Sequence, residues 1–116
     1  MIFMEIVRHC DIEKDLKKLG RYPTPKESLE AWERLFISKG LRETPGIDSY
    51  KGFGNEKIYK ARVVPLGENC GKSKGYRIVF QIIKNSSEGT CKIICFSRHG
   101  IHHDEQELVG IIKMRL

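Results

Sequence analysis

Residues Lys57–Arg98 read KIYKARVVPLGENCGKSKGYRIVFQIIKNSSEGTCKIICFSR, and the alternation within them decides the fold. Three runs, Lys57–Pro65, Gly75–Ile83 and Thr90–Ser97, are rich in the β-branched and aromatic residues that fit a pleated surface. The connections 66–74 and 84–89 contain Gly, Asn and Ser, so the runs are expected to pair as an antiparallel meander. The same stretch holds the charge. It carries nine Lys and Arg against Glu68 and Glu88, while residues 1–56 hold ten of each sign and the tail from His99 is net −1. The formal +6 of the 116-residue chain is therefore the charge of one segment.

Side chains two residues apart on a strand share a face. On the first run Ile58, Lys60, Arg62 and Val64 oppose Tyr59, Ala61 and Val63. On the second, Arg77, Val79 and Gln81 oppose Tyr76, Ile78, Phe80 and Ile82; on the third, Lys92, Ile94, Phe96 and Arg98 oppose Cys91, Ile93 and Cys95. The economical arrangement places Tyr59, Tyr76, Ile78 and Phe80 under helices, with Lys60, Arg62, Arg77 and Arg98 converging on an opposite, open face. Guanidinium forks and ammonium point charges gathered on a sheet face suit phosphate. The ordinary alternative is a solvated face that discourages edge-to-edge pairing.

Outward from this stretch, residues 2–8 read as an opening strand, and Asp11 as the cap of a short helix with Ile12, Leu16 and Leu19 on one stripe. Thr24-Pro25-Lys26-Glu27 has the form of a capping box with Pro at the first helical position. Leu29, Trp32, Leu35 and Phe36 follow on one face, Trp32 in the middle of the stripe as a core residue, and Gly40 reads as the stop. From Leu41 to Glu56 the chain is punctuated by Pro and Gly without periodicity, a long loop that is functional or merely mobile. Asp104 with Glu107 caps a last helix whose apolar face is Leu108, Ile111 and Ile112. The expected fold is one α+β domain over residues 1–116, in β-α-α-β-β-β-α order. It has an antiparallel, about four-stranded sheet, two N-terminal helices on one face and a C-terminal helix.

Composition narrows the function classes. At 40% apolar and 31% charged residues the chain has the balance of a soluble globular protein. No run approaches the roughly 20 apolar residues of a membrane span, and the start reads as a strand rather than a signal peptide. A cytoplasmic location is expected, with Cys10, Cys70, Cys91 and Cys95 as reduced thiols. A pI near 9.2 favours an anionic partner, nucleic acid ahead of membrane. Cys91, Cys95, His99, His102 and His103 lie close in sequence, but the two cysteines would stand about 13 Å apart along an extended strand, too far to share an ion, so no metal is expected there, and no cofactor is expected. Gly71-Lys72-Ser73 lacks the upstream Gly of a phosphate-binding P-loop, having Leu66 in its place, and precedes a strand rather than a helix.

Taken together, Ile58-Tyr59-Lys60-Ala61-Arg62, Gly71-Lys72-Ser73-Lys74-Gly75-Tyr76-Arg77-Ile78-Val79-Phe80 and a third strand ending Phe96-Ser97-Arg98 resemble the RelE/ParE superfamily of toxins from type II toxin–antitoxin pairs. The resemblance implies a ribosome-dependent mRNA endoribonuclease that works without metal, by attack of a ribose 2′-OH on the adjacent phosphate. It implies as partners a cognate antitoxin and mRNA on a 70S-type ribosome. Carried over by motif, Lys60 and Arg62 match the paired basic positions of the first meander strand, Arg77 the arginine of Gly-Tyr-Arg, and Arg98 the basic residue after the last strand. Lys57, Lys72 and Lys74 are candidate RNA-backbone contacts, with plain surface solvation as the ordinary alternative. Some members carry a Tyr shortly after the last strand; here that region reads His99-Gly100-Ile101-His102-His103, with no Tyr, and the resemblance leaves the proton-transfer role open among His99, His102 and His103, with His102 named as the site residue. The alternatives are a ParE-like inhibitor of DNA gyrase and a catalytically silent module of the same fold that binds nucleic acid or antitoxin.

Overall fold

Alternation along the strands gives the sheet two apolar faces, and the helices divide between them. The computed structural model describes residues 3–67, 75–84, 88–98 and 104–116. In chain order these form β1 (Phe3–Arg8), α1 (Ile12–Lys18), α2 (Pro25–Glu43), β2 (Ile47–Ser49), β3 (Ile58–Val63), β4 (Tyr76–Lys84), β5 (Glu88–Arg98) and α3 (Glu105–Arg115). The sheet order is β1-β5-β4-β3-β2. The α+β class holds, and β3, β4 and β5 pair antiparallel as expected.

The sheet differs from expectation in two ways. It has five strands among the described residues rather than about four, because Ile47–Ser49, within the stretch read as a loop, adds an edge strand to β3. It is also mixed rather than antiparallel, since β1 pairs with β5 in parallel. The α1–α2 connection is a crossover that leaves β3 running in the direction of β1, and two antiparallel pairings later β5 shares that direction. A parallel neighbour requires such a long connection. Alternation within a strand says nothing about its direction.

On one face Ile12, Leu19, Leu29, Trp32 and Phe36 of the α1–α2 layer pack on Ala61, Val63, Tyr76, Ile78, Phe80, Ile82, Cys91, Ile93 and Phe96. Trp32 stacks on Phe36 with centroids 5.0 Å apart and lies 5.3 Å from Phe80, so it is a core residue as expected. On the other face Leu108 and Ile112 of α3 pack with Phe53 on Ile58, Val79, Ile94 and Cys95. That face is therefore partly covered rather than open. Asp104 caps α3 as expected, its carboxylate accepting from the Glu107 N–H at 2.7 Å. The Asp11 and Thr24 side chains make no cap bond, and the Thr24 hydroxyl donates instead to the Leu66 carbonyl. The helical conformation of α2 breaks at Gly40, the expected stop, at φ 78°, a conformation open to Gly because it lacks Cβ, and a further short helical segment carries the element on to Glu43.

One irregularity reorganises the third meander strand. Val79 is opposite Cys95 while Phe80 is opposite Ile93, so Ile94 is the extra residue of a β-bulge. Parity inverts across it. Cys91, Ile93 and Phe96 belong to the α1–α2 face, whereas Ile94 and Cys95 belong to the α3 face. β1 covers the β5 edge only as far as Ile93, whose carbonyl accepts from the His9 N–H. Beyond it the Asp15 carboxylate accepts from the Phe96 N–H at 3.0 Å, and Arg115 donates to the Ile94 carbonyl at 3.0 Å.

Candidate functional site

The β3–β4 register puts Arg62 directly opposite Arg77 and Lys60 opposite Val79. Opposed residues of an antiparallel pair share a face with Cβ atoms roughly 5 Å apart, and like charges there repel. Two arginines at opposed positions on one face, with a lysine two residues along the same strand, make a face suited to an anion. Local structure fixes the pair. A Cβ on Gly75 would run into the Val63 carbonyl oxygen, so glycine lets the start of β4 close against the end of β3. The next two side chains then go to opposite faces: Tyr76 into the core and Arg77 onto the site. Gly46, at φ 81°, lays β2 beside Arg62, and its carbonyl accepts the Arg62 N–H at 3.2 Å.

The surroundings moderate this charge. Asp48 of β2 stands opposite Lys60. Gly46, Asp48, Lys60, Ala61, Arg62 and Arg77 line a recess of about 20 Å³, room for a single water-sized group such as one phosphate oxygen. Glu105, the first residue of α3, accepts from the Tyr50 hydroxyl at 2.5 Å through Oε2 and meets Arg77 Nη1 at 3.4 Å through Oε1. Lys60 Nζ lies 5.0 Å from the centroid of the Tyr50 ring, a cation–π distance. The Tyr50 hydrogen bond, with Arg77 and Lys60 nearby, holds the Glu105 carboxyl below its usual range. Burial, and then the hydrogen bond to Glu105, pushes the Tyr50 phenol up to about 12.

Of the sequence-predicted site residues, Lys60, Arg62 and Arg77 come together. Arg98 does not. It is opposite Tyr76, its guanidinium 4.0 Å from the Tyr22 ring centroid and 5.1 Å from that of Tyr76, on the α1–α2 face. The bulge at Ile94 is the reason, because parity counted through an unbroken strand assigns Arg98 to the wrong side. Lys57 is exposed at the other end of β3, where its carbonyl accepts from Ile82, roughly 16 Å along the strand from Arg62. Lys72, Lys74, His99, His102 and His103 lie outside the described residues, as does the Gly71-Lys72-Ser73 segment.

Sequence reasoning missed Tyr50, Asp48 and Glu105. Tyr50 and Asp48 belong to the stretch without periodicity, and Glu105 stood between two residues read only as a capping pair. No spacing rule links them to Lys60 or Arg77.

The bulge puts Cys91 and Cys95 on opposite faces of the sheet, not on one face as alternation implied. Burial pushes both thiols up to about 12. Among the described residues His9, Cys10 and Asp11 gather ligand atoms within 4.8 Å of one another. There the His9 Nδ1 already accepts the Asp11 N–H at 3.0 Å, and the Asp11 carboxylate is shared by Lys14 and Arg115. That cluster reads as the turn into α1. No helix among the described residues is long and apolar enough to cross a membrane. Compared with protein-family models, with curated proteins and with solved structures, the chain matches none.

Proposed function

We propose that the Lys60–Arg62–Arg77 cluster binds the phosphodiester backbone of RNA, and that the chain is a metal-independent endoribonuclease of the RelE kind. Its substrate on this reading is mRNA on the ribosome, and its regulator is a cognate antitoxin. The observation that carries the reading is the cross-strand arginine pair with Lys60 beside it, a repulsive arrangement that an anion relieves.

The chemistry asks for groups of this type. A ribose 2′ oxygen attacks the adjacent phosphorus, the bond to the 5′ oxygen breaks, and the products are a 2′,3′-cyclic phosphate and a 5′ hydroxyl. One proton leaves the 2′-OH and one arrives on the departing oxygen. The pentacovalent phosphorane between them carries more negative charge on its equatorial oxygens than the diester does. Fixed arginine donors stabilise it more than the ground state, which is the condition for acceleration. Arg77 and Arg62 serve this role and Lys60 holds the neighbouring phosphate or the 2′-OH side. His102 is the residue assigned to proton transfer.

One observation favours the silent-module alternative: Arg98, the fourth basic residue of the motif, faces away from the cluster. Induced expression in a bacterial host, with and without Arg77→Ala, separates the readings. The wild type is expected to arrest growth and cut translated mRNA, and Arg77→Ala to lower cleavage by about 10²- to 10³-fold. Uncut mRNA in the arrested wild type, or equal cleavage by both proteins, sinks the nuclease assignment. A DNA-damage response with intact mRNA points to gyrase.

A further inference from the structure

The cluster is not empty-handed: a carboxylate of the same chain already sits on it. Acidic residues in the first turn of a helix are favourable by themselves, so the presence of Glu105 there needs no special cause. What sets it apart is that its two oxygens are taken by different members of the site, Oε2 by the Tyr50 hydroxyl and Oε1 by Arg77 Nη1. Two oxygens on one anion bridging a neutral donor and a guanidinium is the pattern in which the non-bridging oxygens of a phosphodiester would bind. The arrangement is also easy to undo. The Glu105 side chain is 65% exposed and that of Arg77 42%, and ion pairs so open to water are weak. α3 itself is held elsewhere, by Leu108 and Ile112 in the core and by Arg115 on Asp15 at its far end. Release of the site thus needs only a turn of one side chain, with the helix in place.

We propose that Glu105 is a built-in competitor for the RNA phosphate, occupying its position on Tyr50 and Arg77 until a phosphodiester displaces it. This rests on reading the cluster as a phosphate site, and it adds a regulatory element: affinity for RNA is held down by the chain's own carboxylate. A partner that draws Glu105 away raises RNA affinity without touching the basic residues.

The test uses a fluorescent RNA oligomer methylated at every 2′ oxygen, which binds but cannot be cleaved. Anisotropy at low salt is compared for the wild type, Glu105→Gln, Glu105→Ala, Arg77→Ala and Glu105→Ala with Arg77→Ala. Glu107→Gln serves as the control for charge on the same helical turn. Glu105→Ala is expected to tighten binding about two- to tenfold, Glu105→Gln by no more than that, and Glu107→Gln by less than about twofold. The gain from Glu105→Ala is expected to vanish in the Arg77→Ala background. Unchanged or weaker binding by Glu105→Ala overturns the proposal, as does an equal gain in the Arg77→Ala background or with Glu107→Gln. Tighter binding by Glu105→Ala with no mRNA cleavage by any variant leaves the competitor standing and removes the nuclease. Cleavage by the wild type with no change in affinity does the reverse.

Discussion

Tyr50 contributes a polar handle on an apolar ring: the ring packs edge-on to Phe53, 5.2 Å between centroids, while its hydroxyl reaches Glu105. Burial is the larger cause of its raised pKa and the carboxylate the next. Ultraviolet titration of tyrosinate is therefore expected to show the Tyr50 phenol near 12, and Glu105→Gln to bring it part of the way back toward 10. A phenol that stays put in the variant would break the link between the two groups. The sign for stability follows. A folded-state pKa raised above the unfolded value of 10 stabilises fully below pH 10, and that contribution is lost as pH climbs through about 12. At this scale the sequence was legible where chemistry follows strand parity. Lys60, Arg62 and Arg77 could be placed on one face from spacing alone, because each is within a few residues of an apolar alternation that must point inward. Tyr50 and Glu105 meet across 55 residues, and no local pattern encodes such a contact.

Between residues and molecule, the elements show where pattern reading holds and where it breaks. The runs Gly75–Ile83 and Thr90–Ser97 are recognisable as strands, and they form β4 and β5, paired antiparallel as the connections imply. The bulge at Ile94 was not legible, since the third run is apolar on both faces and an extra Ile leaves no mark on its composition. One inserted residue was enough to move Arg98 to the other side of the sheet. Gly75 is the opposite case, a residue whose identity the structure explains fully. Its missing Cβ lets β4 approach the Val63 carbonyl, with the Pro65 ring 3.0 Å from where that Cβ would be. Gly75→Ala is expected to cost about 2 kcal/mol, the usual scale of overpacking, because backbone must shift to admit the methyl. The same shift moves Arg77, so RNA affinity should fall together with the denaturation midpoint. An alanine variant of wild-type stability would mean that the strand ends are not held at this distance.

Across the whole molecule, the pair Asp15–Arg115 ties one layer of helix to the other around the edge of the sheet. The two residues are 100 apart in sequence and join through two parallel bonds, Nη1 to Oδ2 at 2.8 Å and Nη2 to Oδ1 at 3.0 Å. Their side chains are 11% and 4% exposed for Arg115 and Asp15, so this is a buried pair, unlike Arg77–Glu105. It also closes the β5 edge that β1 leaves uncovered, since Asp15 takes the Phe96 N–H and Arg115 the Ile94 carbonyl. Removing one partner strands a charge and unsatisfied backbone in a site with little water. Arg115→Ala is therefore expected to cost about 3 kcal/mol, and Arg115→Ala with Asp15→Ala less than the sum of the two single variants. Geometry also sets the order of loss. α3 lies on the sheet through Leu108 and Ile112, with Glu105 weakly held at one end and Arg115 firmly at the other. In Arg115→Ala the amides of residues 105–115 should exchange with solvent well before those of β4, whose two neighbours stay paired. If α3 remains as protected as β4 in that variant, the helix is held by its apolar contacts alone, and a competitor at Glu105 would have to work without a fixed far end.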